Sequence, residues 1–378
     1  VDRLIPFNVP YVPEISKQYV LEALASDHQQ GDGPFTAKAT KIVSDLVGGG
    51  HVLLTPSCTH ALEMASMLAN LGPGDEVILP SYTFTSAATA VTKFGATPVF
   101  VDIEMETKGI DVNQVREAIT PRTKAISWVN YAGVAPDVEG LQSLAKEFNL
   151  ILIEDNAHGL GGTFKGKPLG SFGDFATQSF HATKNIQCGE GGALIINNRR
   201  FIERAEIIRE KGTDRSKFIR GEVQRYQWVD QGSSYLLAES LAAILLGSLE
   251  KFTEIQARRE LISDSYRNKL NNWARTNDYH LQGQIKSEIN SAHMFYIVSK
   301  SQKSRDNFIE YLKEQGIQSM FHYQSLADSK QGKAFKKTSS VSINAQKMSN
   351  ELLRLPLYPS MNTDDLEFVV DKVLNFHE

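Results

Sequence analysis

Lys184 lies in the polar stretch Ser179-Phe180-His181-Ala182-Thr183-Lys184-Asn185, and a glycine cluster, Gly189-Glu190-Gly191-Gly192, follows it. Upstream, the aliphatic run Leu150-Ile151-Leu152-Ile153 ends in Glu154-Asp155-Asn156-Ala157-His158. The Asp155 carboxylate therefore stands at the tip of a strand of the buried parallel kind, and strand tips are where α/β proteins bind ligands. An anion there and an amine in a glycine-flanked loop are the two groups that pyridoxal phosphate chemistry needs. Asp155 would keep a pyridinium nitrogen protonated; Lys184 would form the Schiff base and then carry a proton as general base and acid. Taken singly, Asp155 also reads as a helix cap and Lys184 as a solvated surface lysine. The expectation rests on their coexistence.

Other groups that such a cofactor would touch are present as well. Thr55-Pro56-Ser57-Cys58-Thr59 joins a strand end to a helix start, where free N–H groups, hydroxyls and the helix dipole favour a phosphate. An ordinary Ser/Thr helix cap would use the same residues. His158 is placed to meet a ring oxygen, with a structural histidine as the alternative. Tyr82 and Phe84, beyond the second strand, offer a ring to stack on the pyridine or, equally, to pack the core.

These residues need rigid elements to hold them. From residue 51 onward, apolar strand segments at 51–55, 76–80, 97–101, 124–130 and 150–154 alternate with segments of helical period at 59–70, 86–94, 111–119 and 137–149. That pattern predicts a mostly parallel sheet covered by helices through right-handed crossovers. Short strands at 175–179 and 193–196 bracket Lys184. Beyond residue 232 the pattern changes to one long helical stretch, 236–271, then a strand at 292–299 and helices at 305–315 and 363–376. The expected organisation is a large α/β domain over 1–232 and a long connecting helix with a small α/β domain over 233–378. The segment 328–345, rich in Ser, Lys and Gly, is expected to be a surface loop.

Composition narrows the function classes. With 378 residues, 41% hydrophobic, 22% charged and a net charge of -4, the chain is of soluble globular type, and no overall charge draws it to nucleic acid or membrane. The N-terminal residues lack a basic segment followed by an apolar core and no apolar run approaches a membrane span, so a cytoplasmic location is expected. Cys58 and Cys188 form no metal-ligand spacing, and no metal is expected. Gly161-Gly162-Thr163-Phe164-Lys165-Gly166-Lys167 imitates a nucleotide-binding loop, but Pro168 stands where a Ser or Thr would ligate magnesium. Gly48-Gly49-Gly50 precedes a strand instead of following one, unlike a dinucleotide fingerprint. Residues 209–225 carry six basic and three acidic residues. Such a run could meet a diphosphate through Arg215, Lys217 and Arg220, or form a solvated face.

The motifs Ser179–Asn185, Glu154–His158, Pro80-Ser81-Tyr82-Thr83-Phe84 and Tyr131-Ala132-Gly133 together resemble those of the DegT/StrS-type sugar aminotransferases over nearly the whole chain. Within that family, Leu53–Thr59, Arg209-Glu210-Lys211-Gly212-Thr213 and Gly232-Ser233-Ser234-Tyr235-Leu236 most resemble the dTDP-4-amino-4,6-dideoxygalactose transaminases. The resemblance implies a fold-type I pyridoxal phosphate enzyme, a homodimer with active sites at its interface. It implies Lys184 and Asp155 as catalytic residues, and Ser57, Cys58, Thr59 and Ser179 at the cofactor phosphate. Phe84 would cover the ring, His158 would meet its hydroxyl, and Tyr82, His322 and Tyr323 would lie near the sugar nucleotide. Many members carry Gly-x-Asn-x-Arg where this chain has Gly232–Leu236, so the phosphate contact across the interface falls to Ser234. The implied reaction moves an amino group from L-glutamate to C-4 of dTDP-4-keto-6-deoxyglucose, with galacto configuration favoured. A C-3 aminotransferase and a non-catalytic pyridoxal phosphate-binding regulator are the alternatives.

Overall fold

The computed structural model describes residues 3–283, 288–335 and 342–377. The chain begins with helices α1 (Glu14–Ala25) and α2 (Pro34–Leu46), then alternates β1 (His51–Thr55), α3 (Cys58–Leu68), β2 (Glu76–Pro80), α4 (Thr85–Thr92), β3 (Thr97–Val101), α5 (Val112–Ala118), β4 (Thr123–Val129), α6 (Val138–Phe148) and β5 (Ile151–Asp155). A short hairpin, β6 (Thr163–Phe164) and β7 (Lys167–Pro168), leads to β8 (Phe175–Ser179), β9 (Gly192–Ile196), α7 (Ile202–Arg209) and α8 (Arg215–Ile219). The nucleotide-loop imitation is thus a hairpin tip, and no helix follows it.

Among these residues a seven-stranded sheet has the order β1-β9-β8-β5-β4-β2-β3. β9 runs against both neighbours, whereas β5 pairs in parallel with β4 and β8. Because β1 sits at one edge and β2 near the other, the chain crosses the sheet after α3, and the crevice at that switch lies at the carboxyl ends of the strands. β2, β8 and β9 are buried along their whole length, as expected of a sheet with helices on both faces.

The remainder comprises α9 (Glu239–Glu250), α10 (Phe252–Thr276), β10 (His280–Leu281), β11 (Phe295–Val298), α11 (Gln302–Glu314), β12 (Met320–Phe321), α12 (Ile343–Glu351), β13 (Leu352–Leu355) and α13 (Thr363–Leu374). A second sheet, β10-β11-β13-β12, is antiparallel throughout. Three expectations need correction. The expected single helix over 236–271 is two helices joined at Lys251, whose backbone (φ -98°, ψ 12°) leaves the helical region. No Pro or Gly marks that joint, so hydrophobic period alone runs through it. α1 and α2 were not expected; both pack on the apolar α9. Finally, the expected loop 328–345 contains a turn of helix at Gly332–Ala334 and the start of α12, while its residues 336–341 lie outside the described residues.

The α2–α9 contact is also polar. The N-cap of α2 is Gly33, which has no side chain to satisfy the first helical N–H groups. Buried Glu239 does so from α9, accepting from the N–H of Gly33 (3.1 Å), Phe35 (2.8 Å) and Thr36 (3.0 Å) and from the Thr36 hydroxyl. We expect Glu239→Ala to destabilise the protein by roughly 2–3 kcal/mol, and Glu239→Gln, which keeps an acceptor, by less. Thermal unfolding of the two variants beside the wild type checks the order.

Candidate active site

The carboxyl ends of β1, β5 and β8 open into one cavity of about 630 Å³. Its floor takes Ser57, Cys58 and Thr59 from the turn after β1, Asp155 from the tip of β5 and Ser179 from the tip of β8. Lys184 enters from the excursion between β8 and β9, which Ser179 and Gly192 close as register partners. Gly192 is needed there. A Cβ at that position would lie 2.4 Å from the Cys58 nitrogen and the Ser57 carbonyl carbon, so any side chain would push away the turn that starts α3.

Electrostatics distinguishes these groups from ordinary surface charges. Burial lowers the Lys184 amine from 10.5 to about 8, against the opposing attraction of the Asp155 carboxylate. The Asp155 carboxyl is raised by burial, partly offset by the N–H of Ala157 (3.0 Å) and the charge of Lys184. Cys58, with Sγ 3.5 Å from the Thr177 hydroxyl and 3.9 Å from Asp155, is pushed far up by burial and stays a neutral thiol.

At the anion end, Ser57 caps α3, its hydroxyl accepting from the N–H of His60, while the Thr59 hydroxyl lies 2.7 Å from that of Ser86. Hydroxyls around the N-terminus of an eleven-residue helix are a setting that suits a phosphate. A carboxylate, an amine and this helix end share one cavity, and that set fits pyridoxal 5′-phosphate: ring nitrogen toward Asp155, aldehyde toward Lys184, phosphate toward α3.

The opposite wall is aromatic. His158 Nδ1 accepts from the N–H of Ala132 (3.4 Å), which leaves the proton on Nε2, 3.2 Å from the Tyr323 hydroxyl. Burial lowers His158 well below its ordinary value, with Lys184 and Arg354 adding to the effect, so the ring is neutral. His293 stacks on it at 4.4 Å, and His322 Nδ1 meets the Tyr131 hydroxyl at 3.0 Å.

Of the residues expected at the site, Lys184, Asp155, Ser57, Cys58, Thr59, Phe84, His158, Ser179, His322 and Tyr323 all line this cavity. Tyr82 does not. It is fully buried behind the wall, its hydroxyl 3.4 Å from that of Tyr131, because the strand-end turn points it inward and Phe84 outward. Arg215, Lys217 and Arg220 also stay away from the cavity, paired with Glu210, with Glu203, and with Glu206 and Glu222 respectively. Ser234 is exposed outside the cavity, in a bridge with Glu210. Sequence reasoning missed Phe7, Asn8, His293 and Arg354. Arg354 carried a signal, a lone arginine in the apolar run Leu352–Leu357; the others become visible only when distant segments meet.

Comparison with known proteins agrees with this geometry. A family model described as the DegT/DnrJ/EryC1/StrS aminotransferase family matches residues 11–374. The uncharacterized protein MJ1066 of Methanocaldococcus jannaschii is 32% identical over 98% of this chain and 96% of its own. The putative sugar aminotransferase Spr1654 of Streptococcus pneumoniae, in its PMP form, superposes with a TM-score of 0.89 at 27% identity, covering 98% of each chain. It has also been solved in a PLP form. The structure of DesI in the presence of its TDP-sugar product gives a TM-score of 0.87 at 26% identity, covering 98% of this chain and 92% of DesI. The fold is that of the fold-type I enzymes, and the cofactor is pyridoxal 5′-phosphate. With its cavity so furnished and the match running from residue 11 to residue 374, this chain belongs to the DegT/DnrJ/EryC1/StrS aminotransferase family.

Proposed function

We propose that the protein transfers an amino group from L-glutamate to the C-4 keto group of dTDP-4-keto-6-deoxyglucose, giving a dTDP-4-amino-4,6-dideoxyhexose of galacto configuration. The observation that carries the reading is the joint presence of Lys184, Asp155 and the hydroxyl-lined end of α3 in one cavity. When bound, pyridoxal phosphate supplies an electron sink for the pair released as the Cα–H bond of the donor breaks. Asp155 holds a proton at the ring nitrogen. The Lys184 amine takes the proton from the donor carbon in the first half-reaction and delivers a proton to the sugar carbon in the second, and its lowered affinity for protons suits both tasks. His158, neutral and donating through Nε2, orients the ring oxygen side together with Tyr323.

The sugar nucleotide is supported by the sequence motifs and by the TDP-sugar product of the structural relative DesI. A homodimer belongs to the same proposal. Phe84, Met320 and Phe321 are exposed at the cavity mouth, where a second copy would cover them and bring its Ser234 toward the phosphate end. So do a boundary near residue 232 between the cofactor-binding and C-terminal domains, and a cytoplasmic location; among the described residues no helix is long and apolar enough to cross a membrane.

Incubation of the protein and cofactor with L-glutamate and dTDP-4-keto-6-deoxyglucose should yield a C-4 amine whose ring couplings in NMR report the axial galacto product. An amine at C-3, or none from this acceptor, would replace the reading. Asp155→Asn should retain the fold while kcat falls by roughly 10²–10⁴-fold, and Lys184→Ala should leave no turnover. Because only the unprotonated Lys184 amine is nucleophilic, capture of pyridoxal phosphate by the apo-protein should accelerate by about tenfold per pH unit below pH 8 and level off above it. Stopped-flow absorbance measures that profile.

A further inference from the structure

The N-terminus of α3 is closed by a histidine of its own first turn. Ser57 is the N-cap, and His60 stands three positions on, where a capping side chain ordinarily reaches back to the N-cap backbone. The His60 imidazole turns instead to the Ser57 side chain, with Nδ1 3.1 Å from Oγ, and the His60 N–H donates to the same oxygen at 3.2 Å. The ring is held there from behind. Buried Tyr235 packs against it with ring centroids 5.4 Å apart, and the Tyr235 hydroxyl donates to Glu63 at 3.2 Å. Glu63 is itself buried and accepts from Lys93 at 2.6 Å, so the support behind His60 is fixed to α3 and to the end of α4.

Ionised phosphate oxygens accept hydrogen bonds and give none, so only hydroxyl protons that are not already spent serve a bound phosphate. Thr59 and Ser86, with their hydroxyls 2.7 Å apart, spend one proton on each other. Ser57 has one hydroxyl proton and two oxygen lone pairs. With a bare Nδ1 on His60, that proton goes to the imidazole and Ser57 meets the phosphate with lone pairs. With hydrogen on Nδ1, both lone pairs are filled from His60, one by the backbone and one by the ring, and the proton is left for the cavity that Ser57 lines. We propose that His60 is a positioning residue for the cofactor phosphate: its Nδ1–H saturates Ser57 Oγ and thereby makes Ser57 a donor. His60 is not itself among the residues that line the cavity, and it acts through Ser57. The inference concerns the hold on the cofactor and is independent of which sugar accepts the amine.

The test is binding of pyridoxal phosphate to the apo-protein, followed by absorbance, with pyridoxal, which lacks the phosphate, as the comparison. His60→Leu, which keeps apolar packing on Tyr235 but has no side-chain N–H, should raise the dissociation constant of pyridoxal phosphate by about 10–100-fold and that of pyridoxal by less than about threefold. His60→Asn, whose side-chain amide offers an N–H in place of Nδ1–H, should restore most of the affinity. In a Ser57→Ala background His60→Leu should cost less than about threefold, because the hydroxyl it serves is gone. An equal loss for both ligands would mark a merely structural role and overturn the proposal. Unchanged affinity, additive effects of the two substitutions, or an Asn variant as weak as the Leu variant would do the same. If His60→Leu does not fold, the wild type decides: nitrogen NMR of the pyridoxal phosphate-loaded protein, with the His60 signals assigned by their loss in His60→Asn, should show hydrogen on Nδ1, and a bare Nδ1 would overturn the assignment. Neither measurement uses a sugar, so a wrong acceptor in the proposed reaction would show in the product assay and leave this result standing.

Discussion

The antiparallel pairing of β8 with β9 turns a loop into an instrument. It returns the chain to the sheet directly after Lys184, with Ser179 facing Gly192 across the ladder, so the lysine is fastened at both ends within a few residues. The same ladder presses Gly192 against the turn after β1, which fixes where α3 begins and hence where its N–H groups point. Amine, carboxylate and anion site are thereby referred to one rigid surface. Each is displaced if the strand between β1 and β8 is displaced.

Desolvation then makes those groups reactive. In water Lys184 would be an ammonium and Asp155 an unremarked carboxylate; buried together, each resists its charged form and each is helped toward it by the other. The neutral histidines of the opposite wall follow from the same burial, reinforced by the cationic groups they face. A cavity whose buried amine, carboxyl and histidines are each shifted away from charge favours transfers of protons over storage of ions.

Much of this was legible in the residues. The aliphatic runs of β1, β2, β3 and β5 are plain in the sequence, and Asp155 and Lys184 declare themselves by polarity at places where the pattern changes. What stayed hidden has physical reasons. The break at Lys251 needs no unusual residue, and the packing of α1 and α2 on α9 joins segments some two hundred residues apart. The basic run at 209–225 pairs with its own neighbouring acids, which counting charges cannot show. Tyr82 and Phe84 are two residues apart at a strand end, yet one is sealed in and the other open, a choice made by the turn and by the packing of Tyr131 and Tyr323 around it.

The cavity walls come from two separately cored bodies. The large sheet furnishes the grip on the cofactor; the small sheet and its approaches furnish His293, His322, Tyr323 and Arg354. One seam, in which Tyr82, Val129 and Tyr131 pack with Met294, Tyr296 and Met348, helps keep them in register, as do the N–H groups of Asn344 and Ala345 that donate to Asp102. Such a division permits descent with modification on one side only. Substitutions in the small sheet can alter which molecules are welcomed while the inherited machinery of the large sheet stays intact, so a lineage built on this chain could diversify its acceptors without reinventing its chemistry.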